Sequence, residues 1–166
     1  MTQKTKNEFL KVFPELNKEQ QKAIFNTDNP TLIIAGPGTG KTFTLVLRTL
    51  FIIASGKAEP KEIILTSFTE KSAFELRDRI NQFSKKLNLK ARFHELKIGT
   101  IHGICETYIS KYIKHTELNK NFVVLDELTS SLFINEHADQ VLEPFKDDKK
   151  YFDRWPNQEK QFRDAK

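Results

Sequence analysis

The chain has a single cysteine, Cys105, among 166 residues. It therefore forms no internal disulfide, which agrees with a reducing compartment, and with no evident base beside it in sequence the thiol reads as packed rather than nucleophilic. Long apolar runs are also missing. No stretch approaches the roughly 18 residues of a membrane span, and Met1 to Phe9 is polar and lysine-bearing, without the apolar segment of a signal peptide. A cytoplasmic location is the expectation. The sequence holds no internal repeat and no low-complexity tract, and 38% hydrophobic with 30% charged residues excludes a disordered or fibrous chain of this length. Charge of one sign is only mildly in excess, with 27 Lys and Arg against 22 Asp and Glu. The resulting +5 has the sign that phosphate partners select, but a solvated lysine-rich surface has it too.

Glycine is scarce, six in all, yet three of the six fall at Gly36, Gly38 and Gly40. The surrounding stretch reads Thr31-Leu32-Ile33-Ile34-Ala35-Gly36-Pro37-Gly38-Thr39-Gly40-Lys41-Thr42. A β-branched apolar run, Leu32 to Ile34, breaks into a glycine-rich turn, and a helical pattern opens at Lys41; this predicts strand, phosphate-binding loop and helix. Glycines there admit backbone angles and close approaches that side chains forbid, so N–H groups converge on phosphate oxygens at a helix N-terminus. Lys41 supplies a charge to the β- and γ-phosphates of ATP, and the Thr42 hydroxyl suits Mg²⁺. Ala35 stands where the strict pattern has glycine.

Upstream, Phe9, Leu10, Phe13, Leu16, Ala23 and Ile24 predict two short helices interrupted by Pro14, with Asn17 as N-cap of the second and Gln20 closing a capping box. The Gln20 amide also matches the N6 and N7 edge of adenine, and the residues alone leave both readings open. Downstream, Lys41 to Ala54 predicts a helix ended by Ser55-Gly56. Ile63-Ile64-Leu65 predicts a buried strand passing into Thr66 to Thr69 and an amphipathic helix over Glu70 to Leu87. A third unit pairs a strand at Leu96 to Ile98 with a helix carrying Ile104, Tyr108 and Ile109 on one side. Such alternation implies an α/β fold with a parallel sheet, with ligands outside the carboxyl ends of its strands. A polar connection then leads to the apolar run Phe122 to Leu125 and helical spacing over Glu127 to Leu142. From Pro144 onward the chain is highly charged, with scattered aromatics and an apparently helical character.

Together these segments resemble the N-terminal part of the UvrD/Rep-type superfamily 1 DNA helicases. Leu16 to Ile24 is similar to that family's adenine-reading Q motif. Ala35 to Thr42 resembles its Walker A, where Ala at the first place is ordinary. Thr66-Ser67-Phe68-Thr69-Glu70-Lys71-Ser72-Ala73 is similar to motif Ia, and Ile98 to Gly103 to the motif usually written with Thr-Phe-His. The resemblance implies a P-loop NTPase (RecA-like) core over residues 1–120, incomplete, and the start of an inserted helical subdomain over 121–166. It implies that Gln20, Ala35 to Gly40 and Phe43 join Lys41 and Thr42 around ATP. It further implies that Phe68, Thr69, Lys71, Thr100 and His102 line a channel for single-stranded DNA. Three positions depart: Phe43 and Glu70 stand where Arg and Asn are common, and Ile101 replaces the usual Phe. Phe43 would offer adenine an aromatic face, and a carboxylate at Glu70 would repel a DNA phosphate.

Phe122 to Leu125 followed by Asp126-Glu127 also fits a Walker B strand, but Leu128-Thr129-Ser130 follow where the family has x-Gln-Asp. The run resembles instead the lead into the helical subdomain, with Asp126 as N-cap. The chain is then expected to be a fragment: inactive alone, lacking the acidic motif and the second motor domain. The alternatives are a stand-alone P-loop binding or switch protein that uses Asp126 and Glu127 as its acidic pair on no nucleic acid, and a small-molecule kinase.

Overall fold

The computed structural model describes residues 2–142; the charged segment from Pro144 onward lies outside the described residues. Two compact units divide after Thr116. In the first, α1 (Thr2–Val12) and α2 (Lys18–Phe25) are separated by Pro14, whose ring forbids a continuous helix. Asn17 Oδ1 accepts the Gln20 N–H at 2.8 Å and the Gln20 side-chain oxygen accepts the Asn17 N–H at 3.2 Å. The expected capping box is present.

The helix α3 (Lys41–Ala54) is the hub of this unit, with Val46, Leu47, Leu50 and Phe51 fully buried. It stops in a Schellman motif at Gly56, whose φ of +71° suits glycine: the Lys57 N–H bonds the Ile52 carbonyl and the Gly56 N–H that of Ile53. The sheet has two parallel strands, β1 (Ile64–Ser67) and β2 (Lys97–Thr100), with Leu65 opposite Ile98 and Ser67 opposite Thr100. Between them runs α4 (Glu70–Lys86), capped by Thr69 and burying Ala73, Leu76 and Ile80; β2 leads directly into α5 (Ile101–Lys111). One apolar cluster joins α1, α2, α3, α4 and both strands.

Two strand expectations change. Leu32 to Ile34 is unpaired coil, with Leu32 and Ile34 85% and 90% exposed. A strand is defined by its ladder partner, and among the described residues only β1 and β2 pair. In β1 only Leu65 is buried, and Ile64 is 48% exposed, so this strand is half-covered rather than buried on both faces.

In the second unit Phe122 to Leu125 forms no strand, and Val123 and Val124 are exposed. Asp126 instead caps α6 (Glu127–Leu142), its carboxylate accepting the Thr129 N–H at 2.7 Å. That hydrogen bond holds the Asp126 carboxyl below its ordinary value. A depressed folded-state pKa contributes stability that is present above the unfolded value and lost as pH falls through the folded one. Acid is therefore expected to fray the start of α6, read as loss of the Thr129 amide's protection from hydrogen exchange. Asp126→Asn should cap equally well and flatten that pH dependence, whereas Asp126→Ala should fray at all pH. Equal acid sensitivity in the Asn variant would remove Asp126 as the cause. Among the described residues, no helix is long and apolar enough to cross a membrane.

Candidate functional site

Gly38 and Gly40 have φ of +75° and +85°, the left-handed region that L side chains rarely adopt. At Gly40 a Cβ would also stand 3.0 Å from Gln20 Nε2, so this glycine serves both the turn and the approach of α2. Within the loop, the Thr39 hydroxyl donates to the Gly36 carbonyl at 2.8 Å, and the Lys41 ammonium donates to the carbonyls of Gly36 and Ala35 at 2.6 and 3.0 Å. Lys41 thus curls back over the loop while remaining exposed. The first turn of α3 leaves its N–H groups without intrahelical partners and presents the positive end of the helix dipole, which together favour an anion.

A cavity of about 280 Å³ opens here, lined by Gly38, Gly40, Lys41, Thr42, Phe43 and Arg79. Five of these were expected from the loop; Arg79 was not. It lies on α4 one turn before Phe83, whose ring meets Phe43 edge-on at 5.4 Å, and this packing carries the guanidinium to the cavity. Its half-buried guanidinium has no partner among the described residues. The available signal was helical phase: Leu76, Arg79 and Phe83 share one stripe of α4. Phe43 also meets Phe13 edge-on at 5.7 Å, so its ring is fixed at the cavity wall rather than free to turn.

Gln20 is drawn to the loop as well as to its cap. Its Nε2 donates to the Thr39 carbonyl at 3.2 Å, which occupies one donor, while the Asn17 N–H takes one of the two lone pairs of its oxygen. A second tie escaped the sequence reading: Arg48 on α3 donates to the carbonyls of Ala23 and Asn26 and to the Thr31 hydroxyl, fastening the end of α2 to the start of the loop.

The residues expected to meet DNA emerge together at the carboxyl ends of β1 and β2. Phe68 is 99% exposed. Lys71 and His102 are exposed in the first turns of α4 and α5. Thr69 and Thr100 are the N-caps of those helices, accepting the N–H groups of Ser72 and Gly103, each at 3.1 Å. Glu70 does not stand free: its carboxylate accepts the Thr100 hydroxyl at 2.9 Å.

A parallel α/β unit with a glycine loop opening a helix, and a cationic cavity at its mouth, defines a nucleotide-binding class of domain. The particular family follows from comparison with known proteins: residues 16–165 match the UvrD/REP helicase N-terminal domain, and the chain belongs to that family. It is 30% identical over 140 residues to the ATP-dependent DNA helicase SRS2 of Saccharomyces cerevisiae, covering 84% of this chain and 12% of that protein. It is 36% identical over 121 residues to the ATP-dependent DNA helicase Rep of Buchnera aphidicola subsp. Acyrthosiphon pisum, covering 73% of this chain and 18% of that protein. With the ATP-dependent DNA helicase PcrA of Bacillus subtilis it shares 33% identity over 111 residues, 67% of this chain and 14% of the relative. The chain thus spans less than a fifth of the length of each of these relatives.

Proposed function

We propose that this chain is the ATP-binding, DNA-facing portion of an ATP-dependent DNA helicase that couples nucleotide hydrolysis to movement along single-stranded DNA. The observation that carries the reading is the cavity where Lys41, Thr42, Phe43 and Arg79 converge on the glycine loop, in a chain of this family. Lys41 and Arg79 neutralise phosphate charge, Ala35 to Gly40 surround the phosphates with backbone, and Phe43 packs the base. Gln20 reads adenine with the donor it has left, and its bond to Thr39 carries that contact to the loop. The Thr42 hydroxyl in the first turn of α3 fits a Mg²⁺ shared with the nucleotide's oxygens, and the ion would neutralise phosphate charge there.

The domain is a RecA-like core, and β1 and β2 are part of its sheet. Residues 1–120 form the motor part and 121–166 lead into a helical subdomain. Phe68, Thr69, Lys71, Thr100 and His102 face the DNA strand, Phe68 as a stacking platform. A cytoplasmic setting, where DNA and ATP meet, fits the single unpaired cysteine.

The test is ATP hydrolysis by the intact protein with and without single-stranded DNA. Strand-stimulated turnover is expected, with Phe68→Ala weakening strand binding by about 1–3 kcal/mol, while this chain alone binds nucleotide weakly and turns it over negligibly. Robust hydrolysis by this chain alone, abolished by Asp126→Asn, would return Asp126 to a catalytic role and sink the reading.

A further inference from the structure

The Glu70 carboxylate sits where the first turns of α4 and α5 meet, at the edge proposed to face DNA. It is the first residue of α4, and it accepts the hydroxyl of Thr100, the N-cap of α5. The Thr100 hydroxyl has one proton to give and gives it to Glu70; its oxygen accepts the Gly103 N–H at 3.1 Å. A Cβ on Gly103 would lie 3.2 Å from Thr100 Oγ1 and 3.7 Å from Glu70 Oε1, so the carboxylate also stands beside the α5 backbone. Resting on the proposed function, we propose that Glu70 is a specificity-determining residue that sets how firmly this edge holds a phosphodiester. It does so by taking the Thr100 proton and placing a fixed negative charge at the mouth of two helices.

The physical consequence is twofold. Thr100 does not donate to a phosphate while Glu70 holds its proton, so the DNA contact expected of that hydroxyl is withheld. The two helix dipoles that would attract a phosphate are met instead by an internal anion. A phosphate arriving beside Phe68 and Lys71 therefore meets a carboxylate, and the edge neutralises roughly one phosphate fewer than its cations suggest. A weaker grip at this point lets the strand pass over the edge, with stacking on Phe68 carrying more of the contact.

Glu70→Gln separates charge from structure, because its amide oxygen still accepts the Thr100 hydroxyl at the same length of side chain. In the intact protein, Glu70→Gln is expected to bind single-stranded oligonucleotide about fivefold more tightly at low salt, the factor for two unit charges a few ångström apart in water. Its plot of log affinity against log salt should steepen by about 0.7, one phosphate's contribution for a single strand. Glu70→Asp, which keeps the charge, should retain the wild-type slope, and thermal unfolding of all three proteins should coincide. Wild-type affinity and slope in Glu70→Gln, or weaker binding, would overturn the inference while leaving the helicase reading intact. Absence of salt-sensitive strand binding by the wild type would overturn both.

Discussion

Lys41→Met in the intact protein is expected to lower kcat for ATP hydrolysis by about a hundredfold or more, the scale found when one donor aimed at developing charge is removed. The ammonium is the loop's own cation, at the first position of α3, and its two hydrogen bonds go to carbonyls of the same loop and to no carboxylate. Among the described residues its charge therefore meets no carboxylate and is available to a phosphate. The competing explanation is that Lys41 holds the loop together and that its loss deforms the cradle. Exposure decides between them: hydrogen bonds of an exposed side chain contribute little to stability, and methionine keeps the length of the stem. Thermal unfolding of the variant should thus match the wild type while turnover collapses. Turnover within a few fold of wild type would remove Lys41 from the chemistry; a large drop in unfolding temperature would assign it to loop architecture.

What the sequence made legible was local. The capping box of Asn17 and Gln20, the stop at Gly56 and the extent of α6 each depend on residues within a turn of one another, and each appears in the structure as read. The run Leu32 to Ile34 failed as a strand because pairing is not a local property: its β-branched residues favour an extended backbone but cannot supply a neighbour. At the site, the loop was legible because three of the chain's six glycines concentrate there and Lys-Thr follows at the required place. Arg79 was hidden because its route to the cavity runs through the packing of Phe83 on Phe43, forty residues away in the chain. The Glu70 and Thr100 pair was hidden for the same reason, the two lying thirty positions apart; the resemblance implied only that a carboxylate stands where Asn is common, and the structure shows what it holds.

Phe51→Ala in this chain is expected to cost about 3–5 kcal/mol of folding stability, the range for truncating a buried phenylalanine. Phe51 is fully buried and meets Phe9 of α1 edge-on at 5.5 Å and Phe25 of α2 at 4.9 Å, so one ring ties three helices together. Each edge-to-face contact adds about 0.5–1.5 kcal/mol beyond area burial. Against a total of about 5–15 kcal/mol for a domain, the loss is about a fifth or more. At about 2–4 °C per kcal/mol for a chain of this size, Tm should fall by roughly 10 °C. Phe68→Ala is the matched control: the same deletion at a ring 99% exposed, which leaves no cavity and should leave Tm within a degree or two of wild type. The two variants should therefore separate stability from strand binding, Phe51→Ala lowering Tm and Phe68→Ala lowering affinity for single-stranded DNA in the intact protein. If Phe51→Ala unfolded at the wild-type temperature, α3 would not be the hub of the core; if Phe68→Ala unfolded early, its ring would have a packing role that full exposure rules out.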